Sequence, residues 1–187
     1  MEHQTNKSKF AVKAFSKEYL LSQRKGRDSL MNEIDIMKGI DHENLMKLHE
    51  IHESQNSVYL ILELLEGGEL LDYIKAQQGR IKMGEYKHII ISLLRALKYM
   101  NIKNIMHRDL KPENIILKVK GGPIEDNMLK IVDFGLATKC DIAEYLFKRC
   151  GTPGFVAPEV VNASSEENIH YTPKCDVFSV GVIFYLM

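Results

Sequence analysis

The chain has 187 residues, of which 45% are hydrophobic and 27% charged, and its 25 Lys+Arg are balanced by 25 Asp+Glu. A formal net charge of zero provides no global field toward nucleic acid or a membrane surface, so those partners are set aside. Its three cysteines, Cys140, Cys150 and Cys175, are an odd and sparse set that fits a reducing compartment rather than a disulfide framework, and the expected setting is intracellular, in the cytoplasm.

Residues 1–9 are polar and contain no apolar signal core, and residues 3–9 read as a turn. Residues 10–15 then read as a strand with Ala11, Lys13 and Phe15 on one face. A lysine in a small apolar strand is ordinarily an edge residue that snorkels to water. From Ser29, the series Leu30, Ile34 and Met37 has helical spacing. Glu33 lies on that inward stripe and Asp35 off it. His42, His49 and His52 invite a zinc reading, but His49 and His52 are spaced i, i+3 in what reads as strand and turn, so surface histidines are expected. Residues 58–65 form an apolar run broken by Glu63. They read as a buried strand feeding a flexible connection at Gly67-Gly68.

Residues 84–103 carry Ile89, Ile90, Leu93, Leu94, Leu97 and Met100, the wide stripe of a core helix. Strands are expected at 115–119 and 129–132, joined by an exposed hairpin tip at 120–127 that is rich in Gly, Pro and acids. The apolar stretch 177–187 is interrupted by Ser179 and Gly181 and is too short to span a bilayer.

The densest chemistry lies at 107–114, which reads His107-Arg108-Asp109-Leu110-Lys111-Pro112-Glu113-Asn114. A polar β-turn is the plain alternative, but phosphoryl transfer explains the set better. A carboxylate (Asp109) can orient an attacking hydroxyl, an ammonium two residues on (Lys111) can sit by the transferred group, and a carboxamide (Asn114) can give a hard oxygen to Mg²⁺.

Three further motifs follow in order: Asp133-Phe134-Gly135, Gly151-Thr152-Pro153-Gly154-Phe155-Val156-Ala157-Pro158-Glu159, and Asp176-Val177-Phe178-Ser179-Val180-Gly181. Together the four motifs resemble a eukaryotic protein kinase catalytic domain of the Ser/Thr type. The block from Glu50 to Leu71 is most like the calcium/calmodulin-dependent and calcium-dependent group. The resemblance implies an α+β, two-lobed fold, with residues 1–64 a partial small lobe, 65–187 a partial helical lobe and the cleft between them. It implies ATP and Mg²⁺ as cofactors. Lys13 would hold the ATP phosphates with Glu33 as its partner, and Leu62 would take the gatekeeper position. Glu63 and Leu64 would offer backbone groups to adenine, with Ile116 also lining the nucleotide site and Glu69 near ribose and substrate. Asp133 and Asn114 would bind Mg²⁺, Gly135 would allow the sharp turn behind Asp133, and Asp109 and Lys111 would be catalytic. Thr152 would bond to both of these, and Asp176 would anchor the loop from below. Lys111 and Thr152 point to Ser/Thr rather than tyrosine specificity. Glu69 and Glu113 match acids that face basic substrate residues, which implies arginine three residues before the phosphoacceptor.

The same resemblance marks departures. No Gly-rich loop precedes Lys13, and the family's arginine partner for Glu159 would lie beyond Met187, so the domain is expected to be incomplete at both ends and Glu159 to be a buried, unpaired carboxylate. Residues 140–150 offer one hydroxyl, Tyr145, and Lys148 stands where a phosphothreonine would be, so no dependence of Arg108 on Ser/Thr phosphorylation there is expected. Control would come from a calmodulin-binding or calcium-binding segment outside this chain. The rival reading is a truncated or pseudokinase-like fragment serving as a non-catalytic interaction module.

Overall fold

The computed structural model describes residues 8–142, 144–162 and 171–187, and the expected turn at 3–9 lies almost wholly outside them. It is an α+β arrangement in which a small antiparallel sheet precedes a mainly helical region. The sheet joins β1 (Phe10–Ser16), β2 (Leu48–Glu53) and β3 (Ser57–Glu63) in the order β1-β3-β2. Its central strand holds Leu60, Ile61 and Leu62, all buried, so a continuous apolar run in sequence becomes the strand with neighbours on both edges. The strand ends at Glu63, short of the expected Leu65, and the chain turns to pair with another strand. Glu66 and Gly67 amides donate to Lys118 and Leu117 carbonyls at 3.0 and 2.9 Å. Gly67 is required there, because a Cβ would lie 2.4 Å from the Val119 carbonyl oxygen.

Between β1 and β2 run α1 (Lys17–Ser22), capped by Ser16, and α2 (Gly26–Lys38). The short α1 was not foreseen, and α2 begins three residues before the expected start at Ser29. Its buried residues Leu30, Glu33, Ile34, Ile36 and Met37 keep the predicted stripe, and Asp35 is exposed.

The helical region contains α3 (Leu70–Gln77), α4 (Met83–Ile102), α5 (Pro158–Val161) and α6 (Lys174–Leu186). In α4, Ile89, Leu93, Ala96, Leu97 and Met100 are buried, whereas Leu94, expected on the stripe, is 44% exposed. Two-stranded ladders connect β4 (Ile105–Met106) with β7 (Thr138–Lys139), and β5 (Ile115–Leu117) with β6 (Leu129–Ile131). The connection at 120–127 is not wholly an exposed tip. A single 3₁₀ turn at Ile124–Asp126 drops Ile124 into the core at 1% exposure, and the buried Asn127 side chain bonds to both backbone groups of Val119. One apolar cluster runs from Leu30 on α2 through Leu93 on α4 to Ile183 on α6, so the sheet and the helical region share a core. Among the described residues no helix is long and apolar enough to cross a membrane.

Candidate active site

The loop after β4 contains the charged octet, and its backbone is strained. Arg108 there, and Asp133 in the turn after Leu129–Ile131, have φ of 67° and 62°, a left-handed conformation that costs a non-glycine residue about 1–2 kcal/mol. Asp176, fully buried on α6, accounts for the first of these. Its carboxylate oxygens accept from the His107 and Arg108 amides at 2.7 and 2.8 Å. Hydrogen bonds to a charged group contribute about 1.5–3 kcal/mol each, enough to outweigh the turn's strain. Burial pushes the Asp176 carboxyl upward, and His107, with the two amides and Arg108, pulls it back.

His107 is itself wholly buried. One ring nitrogen lies 2.9 Å from the Val132 carbonyl, the other accepts from the Asp109 amide at 3.3 Å, and the ring packs edge-on to Phe134. Sequence reading gave His107 no role, yet it joins the loop to the strand end that precedes Asp133.

Above this floor the side chains converge. Thr152 Oγ1 donates to Asp109 Oδ1 at 2.6 Å and accepts from Lys111 Nζ at 2.8 Å. Lys111 Nζ is also 3.1 Å from Asp109 Oδ2. Asn114 Nδ2 donates to the Asp109 carbonyl at 2.9 Å and to Oδ2 at 3.1 Å. The half-buried Asp109 carboxylate is thus fixed on both oxygens and still has lone pairs for an incoming hydroxyl. Gly151 permits the approach of Thr152: it sits at φ 111°, and a Cβ there would lie 2.7 Å from the Arg108 carbonyl oxygen.

A second group faces the sheet. Lys13 Nζ on β1 is 2.8 Å from Glu33 Oε1 on α2 and 3.6 Å from Asp133 Oδ1. Glu33 is nearly buried while Lys13 and Asp133 remain accessible, so the ammonium and the outer carboxylate face an open space. Two hard carboxylate oxygens at Asp133, and an Asn114 carboxamide whose amide end is taken up by Asp109, suit a cation such as Mg²⁺. Gly135 follows within a 3₁₀ turn, Phe134–Leu136, where a Cβ would lie 3.8 Å from Glu33 Oε2.

The remaining expected residues are distributed unevenly. Leu62 is buried on β3, Leu64 is half-buried just beyond it, and Ile116 forms a bridge with Glu69. The Glu63 carboxylate is taken up by its neighbours. It pairs with the buried Lys130 at 2.7 Å and accepts from the Lys47 amide at 2.9 Å, while Lys130 also donates to the Leu45 carbonyl. Glu113 Oε2 is buried with no hydrogen-bond donor among the described residues. Glu159 is exposed on α5, which corrects the expectation of a buried carboxylate; water hydrates its charge.

His49 and His52 are exposed on β2, His42 is half-buried, and the described residues hold no group of three or more His, Cys, Asp and Glu that could bind a metal ion such as zinc. Burial lowers the His42 pKa, and its Nδ1 accepts from the Asn44 amide. Arg108 donates to the Leu136 and Phe147 carbonyls and the Tyr171 hydroxyl, and lies over the Tyr145 ring. Tyr171, Asn32 and Ser29, which bind this same neighbourhood, were missed. For Ser29 and Asn32 the signal was available in their helical spacing from Lys25; for Tyr171 none was.

Comparison with known proteins agrees with this geometry. The model of the protein kinase domain matches residues 1–187. Calcium-dependent protein kinase 4 of Plasmodium falciparum is 37% identical over 178 residues, covering 95% of this chain and 32% of that protein. The probable serine/threonine-protein kinase fhkC of Dictyostelium discoideum is 36% identical over 180 residues, covering 96% of this chain and 29% of the relative. Myosin light chain kinase A of Dictyostelium discoideum is 35% identical over 189 residues, covering all of this chain and 59% of the relative. The chain thus spans about a third of the length of the first two relatives and under two thirds of the last.

Proposed function

The chain belongs to the protein kinase family, and we propose that it transfers the γ-phosphoryl group of MgATP to serine and threonine hydroxyls of proteins. The observation that carries this reading is the Asp109–Thr152–Lys111–Asn114 cluster, closed by contacts of 2.6–3.1 Å between residues up to 43 positions apart. ATP would lie in the cleft between residues 1–64 and 65–187, with adenine against Leu62, Leu64 and Ile116.

Lys13, held by Glu33, would hold the phosphates, and Asp133 and Asn114 would hold Mg²⁺. When bound, Mg²⁺ neutralises charge on the phosphate oxygens. Asp109 accepts the hydrogen bond of the incoming hydroxyl and aims its oxygen at the phosphorus. A positioned base of this kind is worth roughly 10²–10⁴ in rate. Lys111 balances negative charge beside it, and Thr152 keeps base and ammonium in register.

Substrate choice follows from acids at the cleft's rim. The donor-free oxygen of Glu113 and the half-buried Glu69 favour a cationic side chain, and the resemblance to basophilic kinases makes it an arginine three residues before the Ser/Thr. The naming of relatives as calcium-dependent kinases supports control by a calmodulin-binding or calcium-binding segment outside this chain.

The test uses the full-length protein with radiolabelled MgATP and a Ser/Thr peptide library, comparing wild type with Asp109→Asn. Incorporation should fall by about 10²-fold or more in the variant, at the lower bound for a positioned base. Equal incorporation by both sinks the assignment, and selection of acidic or proline-directed peptides sinks the arginine preference alone.

A further inference from the structure

The segment that follows Asp133 is gripped by its backbone carbonyls. One face of α2 and its N-cap presents Lys25, Ser29 and Asn32, spaced i, i+4 and i+7. Asn32 Nδ2 donates to the Ala137 carbonyl at 2.8 Å, Ser29 Oγ to the Gly135 carbonyl at 3.3 Å, and Lys25 Nζ to the Leu146 carbonyl. From the other side Arg108 Nε donates to the Leu136 carbonyl at 2.7 Å and a terminal nitrogen to the Phe147 carbonyl at 2.6 Å. That nitrogen also donates to the Tyr171 hydroxyl at 2.9 Å, which in turn donates to the Lys148 carbonyl at 3.4 Å. Every carbonyl of 135–137 and of 146–148 therefore accepts a side-chain donor. Arg108, 7% exposed and stacked over the Tyr145 ring at 5.4 Å, has acceptors without any phosphate. Tyr145 holds the one hydroxyl of 140–150 and is 2% exposed, out of reach of a modifying enzyme in this arrangement.

The two grips meet at the reacting end of the molecule. Asn32 is next to Glu33 on a rigid helix, so the bond to Ala137 fixes the helical rotation that keeps Glu33 against Lys13. The same bond steadies the turn at Phe134–Leu136 that presents Asp133. Tyr171 closes the opposite side, tying Arg108, one residue from Asp109, to Lys148.

We propose that Asn32 and Tyr171 are positioning residues for phosphoryl transfer, holding 135–148 in its working arrangement with no phosphate on residues 140–150. The proposal rests on the kinase reading and deepens it by assigning what replaces the phosphate.

The experiment uses the full-length protein, first treated with a Ser/Thr phosphatase, with MgATP and an arginine-containing Ser peptide. Wild type is compared with Asn32→Leu, which has no donor, Asn32→His, which restores an N–H, and Tyr171→Phe, which removes one hydroxyl. Loss of one such bond should lower kcat about three- to tenfold in Asn32→Leu and Tyr171→Phe, with KM for the peptide within about twofold. Asn32→His should recover most of the rate, and amide exchange in 135–148 should quicken in the two deficient variants while the melting transition persists. Wild-type kcat and exchange in both deficient variants overturn the proposal, as does a kcat loss matched by loss of folded protein. Wild-type activity that vanishes with phosphatase overturns the phosphate-free part. A wild type inactive on every peptide before treatment overturns the kinase reading instead, and exchange in 135–148 then decides the positioning claim by itself.

Discussion

Two stretches of this chain are equally crowded with charge and imidazole, and they behave in opposite ways. The strand β2, Leu48–Glu53, reads Leu-His-Glu-Ile-His-Glu, and its polar side chains stay at the surface, with His52 paired to Glu50 two residues away. The loop at 107–114 also has near contacts, Lys111 and Asn114 to Asp109, but adds partners from 25 to 69 positions away: Val132, Thr152 and Asp176. Hydrated pairs between near neighbours contribute about 0–1 kcal/mol and fix little. Buried bonds between distant residues fix geometry, because neither partner has water as an alternative. Both stretches mix imidazole and charge; what distinguishes the loop is that its distant partners are buried with it, whereas even the distant Lys17–Glu53 pair of β2, at 2.6 Å, leaves Glu53 in water.

The largest effect should come from extending this comparison to the buried pair Lys130–Glu63, whose side chains are 6% and 13% exposed. Lys130→Met strands the Glu63 carboxylate and should destabilise the protein by about 3–5 kcal/mol in denaturant unfolding. A shift under about 1 kcal/mol would place this pair with the hydrated ones.

A smaller effect concerns the thiols and phenols packed around the loop. Burial pushes the Cys140, Cys150 and Cys175 thiols and the Tyr145 and Tyr171 phenols upward. A raised value means the folded state favours the protonated form. The resulting stability is complete below the ordinary thiol value, about 8.5, and is lost as pH rises through the higher folded values. These groups should therefore leave the melting temperature flat from about pH 6 to 8 and lower it above about pH 9. Alkylation of Cys150 at about pH 8 should correspondingly be slower than that of a free cysteine. A melting temperature that climbs between pH 8 and 10 would contradict the first statement, and alkylation as fast as that of a free cysteine the second.

The smallest effect belongs to β2. Glu50→Gln should change stability by less than about 0.5 kcal/mol and leave phosphoryl transfer untouched, measured by denaturant unfolding and initial rates. A tenfold rate loss would show that this strand takes part in the site after all.

The same contrast explains how much of the fold and site is legible in the sequence. Period and pattern were enough for β1, β3, α2 and α4, because burial of Leu30, Leu60 or Leu93 follows from spacing along one element. The Lys13–Glu33 and Asp109–Thr152 contacts were legible only through motifs, since a resemblance supplies the long-range pairing that a single chain hides. Where neither helped, reading failed. Ile124 was placed in an exposed tip because its neighbours are Gly, Pro and acids, yet one turn of 3₁₀ helix is enough to bury it. Leu94 looked like part of a stripe whose edge lies one position away. Glu159 was expected inside and stands in water. Of the carbonyl-directed donors, Asn32 has only its helical spacing from Lys25 as a signal and Tyr171 has none, because a backbone acceptor is the same at every residue.

The central claim is that distant partners turn the charges of 107–114 into a working site, and Thr152→Val in the full-length protein tests it most directly. Valine keeps the shape and removes only the oxygen that bonds Asp109 at 2.6 Å and Lys111 at 2.8 Å. Initial rates with MgATP and a Ser peptide should show kcat reduced by about 10- to 100-fold, the equivalent of one hydrogen bond to a charged group, with KM for ATP within about twofold. An unchanged kcat, or a loss confined to KM, would contradict it.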